Sequence, residues 1–169
     1  MRTMISSFRQ PVVVCSALAL SASLPAQTKI CVEGAISAIN GTKIELYNGL
    51  VKFEVPGARI DTKDPGFKNI AALKVGTFID VEARLDRDGS MRATRIKLSN
   101  EKDRVPEVAG VIGMVDAAAQ SFTIGPLTIF WTSGTRKKGL PEPRAGVKVE
   151  AQINFASGKL VADVVEKDE

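Results

Sequence analysis

The chain has 169 residues, room for one medium domain or two small ones, and its 44% hydrophobic and 25% charged content is that of a folded globular protein rather than a disordered one. It contains no histidine, so the commonest general base and the commonest transition-metal ligand are both missing. The formal charge of +4 falls when Arg2 and Arg9 are set aside with the N-terminal segment, leaving 21 basic against 19 acidic residues, too weak an excess to argue for nucleic acid or an anionic membrane surface as partner.

Residues 1–26 read as a secretory signal: Arg2 and Arg9 make a basic start, Val12 to Leu20 an apolar stretch, and Leu24-Pro25-Ala26 a small-residue end. The apolar stretch is too short to span a bilayer, so no transmembrane segment is expected in the mature chain. Cleavage is expected after Ala26, with Ser23 as the alternative, and the destination is periplasmic or secreted, in a Gram-negative bacterium. Cys15 follows Val12-Val13-Val14 and lacks the small residue that lipid attachment needs immediately before the cysteine. Cys31 is then the one mature cysteine, which rules out an internal disulfide and leaves packing alone to hold the fold.

A first unit is expected over residues 32–98. It opens with VEGAISAINGTKIEL, in which Val32, Ala35 or Ile36, and Ile39 feed a core, and Asn40-Gly41 closes a hairpin that returns through Ile44 and Leu46. Asn48-Gly49 turns the chain into Val51, Phe53 and Val55, which alternate with Lys52 and Glu54. Pro56-Gly57 ends that strand, and the polar segment from Asp61 to Phe67 forms a loop. Asn69 to Leu73 makes a single helical turn, placed to plug one end of a barrel with Ile70 and Leu73.

The most regular stretch follows. Ile79, Val81, Ala83 and Leu85 alternate with Asp80, Glu82, Arg84 and Asp86, the period of a strand with one buried face. Asp88-Gly89 is read as a two-residue turn, and the step of three between Ala93 and Ile96 on the return strand predicts a bulge.

Residues 99–106, SNEKDRVP, are a charged run without apolar periodicity and mark a linker. A second unit, residues 107–167, repeats the plan. Gly110, Ile112 and Val115 answer Gly34, Ile36 and Ile39; Phe122 and Ile124 answer Ile44 and Leu46; Leu127, Ile129 and Trp131 answer Val51, Phe53 and Val55. Gly146, Val149, Ala151, Ile153 and Phe155 then repeat Gly76, Ile79, Val81, Ala83 and Leu85 at one constant offset. No amphipathic helix of useful length follows the signal, so the class is all-β: two tandem, small, antiparallel barrels of the OB type, each with about five short strands.

These residues resemble a family of exported bacterial β-barrel domains, catalogued as of unknown function and often found in tandem. The likeness lies in Gly34-Ala35-Ile36, Thr62, Leu73 with Gly76, Ile79 and Val81, and Asp88-Gly89 with Ala93 and Ile96. In the second unit it lies in Gly110-Val111-Ile112, Thr132 or Thr135, Gly146 with Val149, and Gly158 with Ala162 and Val165. Ala151 and Ser157 depart from the pattern. The motif consists of turn and core residues, so the resemblance implies a fold and a compartment but no activity.

No catalytic constellation, cofactor site or metal site is expected. Asp80, Glu82 and Asp86 share the outer face of one strand with Arg84 and read as a solvated surface. Asp86-Arg87-Asp88-Gly89 lacks the later ligands of a calcium loop and reads as a turn, as does Asn40-Gly41-Thr42. Arg84, Arg87, Arg92 and Arg95, with Arg136, Lys137 and Lys138, offer a basic strip, yet aromatic platforms are scarce. Phe78 and Phe130 fall on the outward parity of their strands, where the other unit carries Lys148 and Glu54. They are therefore candidates for docking one unit on the other or for a partner surface. Phe78, Phe130, Arg84, Arg92 and Lys137 form the candidate interface or ligand surface. The functional expectation is a non-enzymatic exported structural or binding module of the cell envelope, its partner an unknown envelope protein or small ligand. The alternative is a binder of sugar or oligonucleotide on one sheet face.

Overall fold

The computed structural model describes residues 29–61, 69–98 and 105–168, without the Ile70 side chain. The signal segment, Gln27, Thr62 and linker residues 99–104 lie outside the described residues. The architecture is all-β, and among the described residues twelve strands belong to one mixed sheet.

In the first repeat these are β1 (Lys29–Asn40), β2 (Lys43–Leu46), β3 (Val51–Glu54), β4 (Arg59–Asp61), β5 (Phe78–Leu85) and β6 (Met91–Leu98). The second holds β7 (Glu107–Asp116), β8 (Ser121–Ile124), β9 (Leu127–Phe130), β10 (Arg136–Lys138), β11 (Lys148–Ala156) and β12 (Lys159–Lys167). In the first repeat β1 pairs with β2, β2 with β3, β3 with β6, β6 with β5, and β5 with β1, so the pairings return to their start. The second repeat closes the same circuit through β7, β8, β9, β12 and β11.

The expectation of purely antiparallel units needs correction. β3 and β6 run parallel, as do β9 and β12, and the short strands β4 and β10 add parallel to β6 and β12. The parallel contacts arise because the chain leaves β3 and β9 by a long connection and returns along the last hairpin in the same direction. Such a closure has no local signature in sequence.

Alternation places the core. Ile79, Val81 and Ala83 are buried, as are their counterparts Val149, Ala151 and Ile153. Leu73, next to a 3-10 turn at Ile70–Ala72, is buried as well. The bulge expected between Ala93 and Ile96 is present: Glu82 pairs with Arg95 and Ala83 with Ala93, which leaves Thr94 as the extra residue. Asp163 is the extra residue at the same point of β12.

The two hairpin turns differ. In the first, Gly89 donates to the Asp86 carbonyl at 3.0 Å, and of the expected pair Asp88-Gly89 only Gly89 takes positive φ, so the two-residue turn is corrected to a longer one. In the second, Ser157 and Gly158 both take positive φ between the paired Ala156 and Lys159, which makes a true two-residue turn and accounts for Gly158 lying 69 positions after Gly89 whereas Gly146 lies 70 after Gly76.

The repeats share more than a linker. β1 pairs antiparallel with β7 through Cys31 with Ala109, Val32 with Val108 and Glu33 with Glu107. Since Gly34 corresponds to Gly110, the residues equivalent to Cys31, Val32 and Glu33 are Glu107, Val108 and Ala109. The seam is therefore self-complementary about the Val32–Val108 pair, the relation expected of a two-fold axis. Residues buried in both repeats form one continuous cluster.

Candidate binding groove between the repeats

A groove of about 610 Å³ lies beside this seam. The first repeat contributes Ala35, Ile36, Ser37, Tyr47, Asn48 and Phe78; the second contributes Val105, Pro106, Ile153, Asn154, Phe155 and Asp163. Its size is in the range of small-molecule sites. Phe78 stands opposite Ala35 where β5 pairs with β1, half-buried, with its ring on the groove rather than in the core of its own repeat.

Tyr47 is held in place by an unusual local backbone. It and Asn48 adopt φ of 52° and 53°, a left-handed conformation that costs a bulky residue about 1–2 kcal/mol. The hydroxyl donates to the Glu33 carbonyl, and the ring lies against Gly34, where a Cβ would come within 2.7 Å of the phenolic oxygen. Gly34 thus provides the flat backbone on which Tyr47 rests. Burial, with the Glu33 and Glu107 carboxylates nearby, pushes the Tyr47 phenol well above its ordinary range and keeps it neutral.

Glu107 starts β7 at the seam, opposite Glu33 and Gln152. Burial, followed by the charges of Glu150, Glu33, Asp80 and Glu166, pushes its carboxyl up to about 7. An unfolded chain releases this proton near pH 4.5, whereas the native state keeps it until about pH 7. Native stability therefore falls as pH rises through that window. Glu107→Gln is expected to leave the melting temperature unchanged at pH 4 and to stabilise the chain at pH 8 by about 2 kcal/mol, allowing for the residue's partial exposure. Melting curves of the two proteins that stay parallel from pH 4 to 8 would contradict this.

The remaining candidates lie elsewhere. Arg84 and Arg92 sit directly opposite one another and share Asp86, at 3.4 and 2.7 Å. Arg95 pairs with Asp61 and Glu82, and Lys137 with Glu142 at 2.8 Å. Carboxylates are interleaved with these basic groups; Lys137 lines a separate hollow with Trp131 and Glu142, and neither Arg84 nor Arg92 lines the groove between the repeats. Phe130 is half-buried on the second repeat, with the Lys159 ammonium 4.5 Å from its ring centre. Cys31 is half-buried at the seam, and burial raises its thiol above the ordinary value. Among the described residues no cluster of His, Cys, Asp and Glu is arranged to hold a metal ion, and no helix is long and apolar enough to cross a membrane.

Sequence reasoning placed Phe155 in the core and singled out neither it nor Asp163. The parity break between Ala162 and Val165 carried the signal, since it marks Asp163 as the bulged residue.

The fold and groove define a class: an all-β protein of two like repeats sharing one sheet, with a ring-lined cleft between them. The chain belongs to the family described as Domain of unknown function (DUF5666), whose profile matches residues 33–97 and again 109–166. No curated protein and no solved structure matches it.

Proposed function

We propose that the chain is an exported, non-catalytic binding module of a bacterial cell envelope, made of two OB-like barrels, with the groove between the repeats as its binding site. The reading is carried by one observation: both repeats contribute rings to a single concave surface, Tyr47 and Phe78 from the first and Phe155 from the second. Tyr47 is kept there at a backbone cost, and costs of this kind gather at functional sites. The pairing circuits support the barrel reading, because closure removes most of the sheet edge. The signal-like residues 1–26 support export; N-terminal sequencing of the exported protein should begin at Gln27, and a start at Met1 would contradict it.

The groove is tested by photo-cross-linking in the producing cell, with benzoylphenylalanine in place of Phe78 or, as a control, of Val75, which is 64% exposed and outside the groove. Adducts at position 78 alone are expected. Equal adducts at both positions, or none at 78, would overturn the groove as binding site.

A second reading, sugar binding on the second repeat's sheet face, is favoured by a difference between the repeats. On β2 and β3 the outward positions form ion pairs, Lys43 with Glu54 at 2.8 Å and Lys52 with Glu45 at 3.4 Å. The matching positions on β8 and β9 are Ser121, which is buried, opposite Phe130, and Thr123 opposite Thr128, so that two hydroxyl-bearing threonines and one ring, with Lys159 over it, stand where the first repeat has ion pairs. Sugar-induced shifts confined to Thr123, Thr128 and Phe130 would support it over the groove.

A further inference from the structure

The charge of the groove runs against that of the chain. Lysine and arginine outnumber aspartate and glutamate by 23 to 19 in the whole sequence, yet among the described residues neither lysine nor arginine lines the groove. Among the described residues its one charged side chain is Asp163, which the bulge in β12 places at the rim, exposed to solvent. The walls are the rings of Tyr47, Phe78 and Phe155 with Val105, Pro106 and Ile153.

Aromatic faces carry negative charge at their centres and attract cations, most strongly those whose hydration shell is weak. A carboxylate beside such rings adds attraction for a positive head and repels an anionic one. Among the described residues of the groove, phosphate, sulfate and carboxylate ligands find no lysine or arginine to pair with, while the apolar walls suit a hydrocarbon body. The Tyr47 hydroxyl is already committed to the Glu33 carbonyl.

We infer that the groove takes a small organic cation, an ammonium or quaternary ammonium head on an apolar body. This rests on the groove being the binding site, and it adds the chemistry of the occupant. The bulged position differs between the repeats: the counterpart of Asp163 in the first repeat is Thr94, whose hydroxyl donates to the Glu82 carbonyl at 3.0 Å.

The test uses three probes of one shape, benzyltrimethylammonium, benzyl alcohol and benzylsulfonate, titrated into the isotopically labelled mature chain while backbone amide shifts are followed. The cation is expected to bind at least about tenfold more tightly than the sulfonate, with shifts at Phe78, Asn154 and Asp163. Asp163→Asn should remove most of that preference. Asn154→Lys, at an exposed position, should reverse it without disturbing the core. Equal binding of the three probes, or tighter sulfonate binding, would overturn the cation assignment while leaving the groove as a binding site. Absence of binding by all three would overturn both. Tighter binding of N-acetyl-lysine amide than of benzyltrimethylammonium would transfer the site to a protein's lysine side chain and refute the small-ligand assignment.

Discussion

Phe53→Ala is expected to destabilise the chain by about 3–5 kcal/mol, and the loss should be visible in the fluorescence of Trp131, which lies in the other repeat. Phe53 is 1% exposed in β3 and is among the largest side chains wholly enclosed by the first repeat. Its removal leaves a cavity that surrounding strands, tied by backbone hydrogen bonds into a closed circuit, fill poorly. Trp131 is the single tryptophan of the chain, 7% exposed and stacked on Phe122 with ring centres 6.0 Å apart. Its emission therefore reports on the second repeat, whereas circular dichroism reports on both. Because the buried residues form one cluster across the seam, both signals should shift to the same lower melting temperature. Two separated transitions, with the Trp131 signal unmoved, would show that the repeats fold independently.

Val108→Asp is expected to unfold the protein or to cost at least about 4 kcal/mol. Val108 has no exposed surface and pairs with Val32, also fully buried, at the centre of the seam, with Ala151 on its other side. A carboxylate there loses its hydration and meets apolar neighbours on both flanking strands. The same substitution at Val115, further along β7 and 36% exposed, should change stability by less than about 1 kcal/mol. Urea midpoints of the two variants check the pair, and similar losses at both positions would argue against the seam.

Much of this fold can be read from residues alone because alternation along a strand has only two phases. Ile79, Val81 and Ala83 announce which face is buried, the step from Ala93 to Ile96 announces the bulge, and the constant offset between the repeats announces the duplication. What stays hidden is the identity of each strand's neighbour. Val32 and Val108 read as buried, but nothing local tells that they face each other, since pairing partners are set by the global arrangement and not by period. β4 and β10 escape notice because three residues such as Arg136-Lys137-Lys138 show no apolar alternation.

The groove was legible only in part. Phe78 stood out as a ring on the wet parity. Tyr47 reads from sequence as a ring to be gathered with Arg84 or Lys137, and its place in a groove with neither depends on a left-handed backbone that tyrosine seldom adopts. Phe155 obeyed the inward parity, yet it lies near the hairpin end of β11, where the ring reaches the groove as well as the core.

The symmetric seam is tested most directly by the chain's own thiol. Cys31 lies opposite Ala109 in the β1–β7 pairing, and directly opposed residues of antiparallel strands have Cα atoms about 4.5–5.5 Å apart, within reach of a disulfide. Mild oxidation of Ala109→Cys should join the two cysteines within one chain, seen as a mass loss of about two hydrogens and faster migration without reductant. Val111→Cys, one pleat further along, should stay reduced under the same conditions. Failure of the cysteine at 109 to close, or equal closure at 109 and 111, would contradict the register on which the shared core and the groove depend.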